Sequence, residues 1–234
     1  VYMSRGTPEQ ADELCQVISR ILPESQYVCF CTSGNILDGE LSECDITVSC
    51  TIFEDPGTRI KVLHFNLREF TIDEMTERVR HFLATHEWVR CGEFELTYSY
   101  QSSSDVCRLF STLPDDFVIF GGGAHSYIQD DAESFILANG ATRADYGAVF
   151  VMLGGPNFHI QIEKITGWLP LGKHFVVTSA ERNVIKELDG QPAFDAYARY
   201  LDISNDDNFI RYVLEFPFLL KDSNNSDDNM LRAP

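Results

Sequence analysis

The sequence predicts an α+β fold: two mixed, largely antiparallel β-sheets with helices packed outside them in an αββα-like arrangement. Three observations lead there. Short apolar runs with period-two alternation outnumber stretches with helical spacing. Several of those runs follow one another across tight turns, as antiparallel strands do. A strand–helix–strand order also occurs twice, each time ahead of such a run. Leu22 and Pro23 lead past an acidic residue into an apolar strand and the loop at Gly34. Leu113 and Pro114 do the same into the loop at Gly121–Gly123. This predicts two related halves, about 1–90 and 91–221, sharing one domain over 1–221, with 222–234 an acidic linker. A single mixed sheet is the alternative.

Residues 1–4 read as the end of a strand. Thr7 caps a helix with Pro8 in its first turn and Gln10 at the capping-box position, and Pro23 ends it. Ala11, Leu14, Cys15, Ile18, Ile21 and Leu22 form its inner stripe. Residues 27–31 form a strand and 32–35 a turn. Residues 46–54, where Ile46, Val48, Cys50 and Ile52 alternate with polar residues, pair with 60–66 across the turn at Asp55, Pro56 and Gly57. A helix over 72–85 turns Met75, Val79, Phe82 and Leu83 inward.

The second half opens with a strand over 94–100, then a helix capped by Ser103 or Ser104 and stopped by Pro114. A strand over 117–120 ends in the glycine turn. Residues 133–138, 147–153, 158–165, 174–178 and 184–188 read as a meander of five antiparallel strands. Pro192 sits where a first helical turn accepts it, and Phe194, Tyr197, Ala198 and Leu201 share one face of that helix. A shorter helix near 208–214, a strand over 216–221 and an acidic loop over 222–229 complete the chain.

At 234 residues and 44% hydrophobic, the chain can bury a substantial core. Thirty-six acidic against 18 basic side chains leave a net charge of −18, which repels nucleic acid and anionic membrane. The seven scattered cysteines include no Cys-x-x-Cys pair, so the expectation is a reducing, cytoplasmic setting with no disulfide framework. The six histidines show no metal-ligand spacing, and neither a P-loop nor a Gly-x-Ser-x-Gly nucleophile turn is present. No cofactor and no insertion into a membrane is expected.

Between 167 and 201 an ordered series recurs: Gly167, Trp168, Pro170 and Gly172, then Val177 and Thr178, Asn183 and Val184, then Leu188, Asp189, Gly190, Pro192 and Ala193, with Tyr197 following. This series resembles the signature of the FIST domain, the sensory module of F-box and intracellular signal transduction proteins. Thr32, Ser33, Gly34 and Ile36 resemble the family's Thr-x-Gly-x-Ile turn, with Asn35 where an acidic residue is common. Gly121 to Ala124 resembles its Gly-Gly-x-Ala turn. The resemblance implies a small-ligand sensor, amino acids being the proposed class, that signals to an output domain in the same or another chain. It also implies that 222–234 leads into a C-terminal part.

Ligand candidates follow from both readings. Thr32, Ser33 and Gly34, and Gly122, Gly123 and His125, lie where strand ends of parallel units collect ligands, and glycines let backbone N–H groups approach an anion or zwitterion. The plain alternative is tight turns that need glycine. Trp168, Thr178 and Asn183 are the candidates from the family stretch, where Trp168 either lids a pocket or plugs its loop. Two rivals stand beside the sensor. One is a hydrolase using Cys31 with His125 as its base, or an amidohydrolase-like site at the strand ends. The other is an adaptor scaffold without a ligand.

Overall fold

The protein is described here by a computed structural model. It covers residues 1–42, 44–97, 109–114, 116–125, 134–139, 142–163, 168–171, 173–181, 184–204, 215–222 and 225–232, with backbone alone from 221 onward. The fold class is α+β. Two compact units divide the chain, Val1–Ile162 and Glu163–Pro234.

In the first unit, β1 (Tyr2–Met3), α1 (Pro8–Ile21) and β2 (Val28–Cys31) form a crossover whose strands pair in parallel. Thr7 starts α1 with a complete capping box: its hydroxyl accepts from the Gln10 N–H while the Gln10 side chain accepts from the Thr7 N–H. The hairpin of β3 (Asn35–Leu37) and β4 (Glu40–Ser42) follows, then β5 (Ile46–Thr47). β6 (Arg59–Asn66) leads to α2 (Ile72–Thr85), which Thr71 and Glu74 cap in the same way as α1. β7 (Val89–Thr97) and β8 (Val118–Ala124) are the second parallel pair, with helical backbone at 109–110 between them. β9 (Ile136–Ala138) and β10 (Gly147–Gly154) complete the unit.

These strands form two four-stranded sheets in the orders β5-β1-β2-β9 and β6-β10-β7-β8. The pleat sorts each strand's residues by face. Met3, Cys29 and Cys31 share a core with Ala11 and Cys15 of α1, whereas Phe65, Phe94 and Phe150 share one with Met75 and Val79 of α2. Val62, Val149 and Val151 of the second sheet pack into the first sheet's core, so the sheets stack face to face with a helix on each outer side. Phe150 is 0% exposed and sits 4.7 Å from Phe94 and 6.2 Å from Phe65, ring centre to centre.

The second unit is smaller. β11 (Val177–Glu181), β12 (Val184–Leu188) and β13 (Gln191–Pro192) form an antiparallel sheet, and α3 (Ala193–Leu201) packs on β12 and β13. β14 (Phe218–Asp222) pairs with β15 (Asn225–Arg232).

Several expected elements differ. The hairpin of 46–54 with 60–66 does not form: β5 is two residues long and pairs with β1, while every residue of β6 pairs with β10. Val48 and Ile52 are 55% and 82% exposed, so their alternation marked no buried face. The five-strand meander is distributed instead: β9 joins the first sheet, β10 lies inside the second, and 158–163 forms no strand. The acidic stretch read as a loop carries β15, whose register places Leu231 opposite Leu219 and Met230 opposite Leu220. The cap at Ser103 or Ser104 and the helix at 208–214 fall outside the described residues.

Candidate functional site

The first candidate turn is closed on itself. The Thr32 hydroxyl donates to Asn35 Oδ1 at 2.8 Å, and Asn35 Nδ2 donates to the carbonyls of Cys44 at 3.2 Å and Tyr2 at 3.5 Å. Asn35 is 4% exposed, and a neutral amide with both donor and acceptor fits this role where a carboxylate would not. Gly34 has ordinary backbone and room for a side chain: an added Cβ would meet Leu41 at 3.8 Å. Thr32 and Gly34 therefore hold the turn, and Ser33 stands exposed beside them.

Cys31, next in the chain, is 3% exposed and its Sγ accepts the Phe135 N–H at 3.3 Å. Burial pushes its thiol pKa up, the opposite of what activates a nucleophile. His125 lies exposed just beyond β8. All six described cysteines are free thiols.

The glycine run is a strand rather than a turn. Gly121, Gly122 and Gly123 pair in parallel with Phe94, Glu95 and Leu96 and form the edge of the second sheet. Gly121 is obligatory, with φ at 131° and the Phe94 carbonyl oxygen 1.8 Å from where a Cβ would be. Gly122 faces open space.

Beside this edge lies a set of polar groups that sequence reasoning passed over. Glu93 and Glu95 stand on the face of β7 turned toward the first sheet. Burial pushes the Glu95 carboxyl up to about 7; the Glu93 charge adds to this, and the Gly122 N–H bonded to the carboxylate opposes it. Burial also raises Glu93. Across from them is Tyr2, whose phenol is raised by burial and then by these two carboxylates. Tyr2 lies edge-on to Phe30 with ring centres 5.2 Å apart. Thr47, opposite Tyr2 in register, and His64, one strand beyond Val149 from Glu95, each bury a polar atom with no hydrogen-bond partner among the described residues. No Lys, Arg or His forms an ion pair with Glu93 or Glu95 among the described residues. The strand Gly-Glu-Phe-Glu-Leu-Thr reads as one polar and one apolar face; only the first sheet laid over the polar face reveals these groups.

A groove of about 790 Å³ runs between β6 and α2. Among its lining residues, His86 Nδ1 is 2.9 Å from the Phe82 carbonyl, the Arg78 guanidinium lies 4.3 Å over the Phe70 ring, and His64 is the residue shared with the inter-sheet set.

In the second unit, Thr178 Oγ1 accepts the Gly190 N–H at 2.9 Å, and Asp189 Oδ1 accepts the Val176 N–H at 2.8 Å. Both bonds pin the Asp189–Gly190 turn, where both residues have left-handed backbone. Trp168 is 49% exposed. Asn183 lies outside the described residues. Next to this turn, a cavity of about 240 Å³ opens between the 173–176 segment and α3, lined by Lys173, Phe175, Gln191, Arg199 and Tyr200. The predicted residues thus divide between the units: Thr32, Ser33, Gly34, Gly122, Gly123 and His125 in the first, Trp168 and Thr178 in the second.

No helix among the described residues is long and apolar enough to cross a membrane, and no group of three or more His, Cys, Asp or Glu among them is placed to hold a metal ion. A family model described as FIST N domain matches residues 1–191. No curated protein and no solved structure matches the chain.

Proposed function

The chain belongs to the FIST N domain family, which is associated with sensing in signal transduction, and from that premise we propose that it binds a small intracellular ligand carrying an ammonium group. Amino acids are the leading class. Occupancy is passed to an output domain in the same or another chain, in the cytoplasm.

One observation supports this reading above the rest: the inter-sheet set of Glu93, Glu95 and Tyr2, with the orphaned polar atoms of Thr47 and His64. Half-buried carboxylates with no Lys, Arg or His ion pair among the described residues oppose folding, and such groups gather at sites where a ligand relieves the cost. An ammonium group supplies three donors and the missing positive charge. Gly122 and Gly123 form the neighbouring edge, so the glycine candidates border the set without lining a phosphate-type cradle. Ligand entering here acts on the contact between two sheets, a place from which occupancy can alter packing.

The cysteine-hydrolase reading is disfavoured by the Cys31 thiol, which is buried and held protonated. The adaptor reading predicts no ligand at all.

Thermal-shift titration of the full chain with individual amino acids tests the proposal. A concentration-dependent rise in Tm with at least one of them, lost in Glu95→Gln, is expected. A flat response to every amino acid tested overturns it in favour of the adaptor.

A further inference from the structure

The cavity in the second unit has a chemistry of its own. Lys173 Nζ lies 4.4 Å over the Phe175 ring and 6.0 Å from the Tyr200 ring, and these two rings stand edge to face with centres 6.0 Å apart. The Arg199 Nη2 donates to Gln191 Oε1 at 3.2 Å, which fixes the guanidinium at the rim and leaves donors over. The Tyr200 hydroxyl donates to the Leu171 carbonyl at 3.0 Å, so its ring is held in place. Asp189 lies at the floor with Oδ1 committed to the Val176 N–H. Neither Lys173 nor Arg199 forms an ion pair among the described residues.

Two cations lining one cavity, neither in an ion pair among the described residues, stand out in a chain of net charge −18. With Asp189 counted, the lining carries one net positive charge, which suits a monoanion better than a phosphate dianion. A planar guanidinium fork is matched to a carboxylate, and the aromatic walls suit an apolar or aromatic body attached to it. The volume, about 240 Å³, is below that of drug-sized sites and sets a limit of one small ring with a short acid arm. Lys173, Phe175, Asp189 and Gln191 lie within the residues that the family model matches, and Arg199 and Tyr200 lie beyond them.

We infer that this cavity is a binding site for a small monocarboxylate with an apolar or aromatic body, its carboxylate held by Lys173 and Arg199 and its body against Phe175 and Tyr200. The site is separate from the inter-sheet set and does not rest on the sensory proposal.

Isothermal titration of the full chain with phenylacetate tests it, alongside the neutral 2-phenylethanol and inorganic phosphate. Saturable binding of phenylacetate alone is expected. Arg199→Met and Lys173→Met should each weaken it at least about tenfold, the loss of one charged hydrogen-bonding partner. Lys173 lies outside any helix or strand, so its substitution reads the site even where the helical one disturbs α3. Glu95→Gln should leave phenylacetate binding unchanged, which separates this result from the amino-acid titration. No saturable binding, equal binding of 2-phenylethanol or phosphate, or both variants binding as well as wild type overturns the inference.

Discussion

The two units meet the same constraint with different means. In the first, two stacked sheets and two helices leave Phe150, Phe135, Met75 and Met152 at 2% exposure or less. In the second, one nine-residue helix covers a short three-stranded sheet. There Leu188, Ala196 and Tyr197 are the buried apolar residues among those described, while Leu169 is 86% and Val176 66% exposed. The difference teaches that apolar content alone does not make a core; layers do. It also separates two kinds of candidate site. Stacking traps charge, as at Glu93 and Glu95, whereas thin coverage leaves an open cavity that recruits charge from the surface, as at Lys173 and Arg199.

The comparison is tested most severely by truncation. Phe150→Ala should cost about 3–5 kcal/mol in urea denaturation, because a fully enclosed ring leaves a cavity that its neighbours cannot fill. Leu169→Ala, at 86% exposure, should change stability by less than about 0.5 kcal/mol. Similar losses for both would erase the distinction between the units.

A second pair of substitutions sharpens it within the glycine edge. Gly121→Ala places a Cβ 1.8 Å from the Phe94 carbonyl oxygen at a φ of 131°. It should cost on the order of 2–4 kcal/mol, since both strain and overlap oppose it. Gly122→Ala meets open space and should be near neutral by the same urea titration. The two neighbours look identical in sequence and differ only in what the parallel partner strand places beside them.

That pair shows what the sequence discloses and what it withholds. Local chemistry was legible: Thr7 with Gln10 announced the start of α1, the amphipathic stripe gave α2, and Asp189–Gly190 gave its turn. The α+β class also followed, with α1 packed on the first sheet and α2 on the second. Partner choice was not legible. The residues of β6 alternate equally well for a hairpin with 46–54 and for a central strand from eighty residues later, and only the packing of β10 into both neighbours decides. The site suffered for the same reason. Glu93 and Glu95 look solvated until another sheet is laid over them, and Lys173 and Arg199 come to line one cavity only when α3 packs on its sheet. Gly34 and Thr178 stood out as motif residues, yet Gly34 has ordinary backbone and Thr178 holds its own turn.

The turn at Asn35 provides a smaller effect. Asn35→Ala removes a side chain that is 4% exposed and bonds the Thr32 hydroxyl and the Cys44 carbonyl, and should cost about 1–3 kcal/mol. Thr178→Ala, whose bond to the Gly190 N–H lies at the surface, should cost about 1 kcal/mol or less, because water replaces the lost acceptor. The contrast repeats that between the units at the level of single hydrogen bonds.

The last effect bears most directly on the trapped charge. The Glu95 carboxyl is raised from the usual 4.5 to about 7 in the folded protein, so the folded state holds this proton more tightly than the unfolded chain does. The resulting stabilisation is complete below the unfolded value, is lost as pH rises toward about 7, and is constant above that. Glu95→Gln cannot ionise and lacks this dependence. The stability difference between wild type and Glu95→Gln should therefore move by about 1–2 kcal/mol in favour of the variant between about pH 5 and about pH 8, a figure reduced for the solvent that reaches the group. Urea midpoints at both pH values measure it. The double variant Glu93→Gln with Glu95→Gln separates the mutual repulsion from burial: if the Glu95 effect persists when Glu93 is neutral, burial between the sheets dominates, with the Glu93 charge the smaller cause. A difference that stays level across the range would place Glu95 in solvent and remove the reason for a ligand ammonium to seek it.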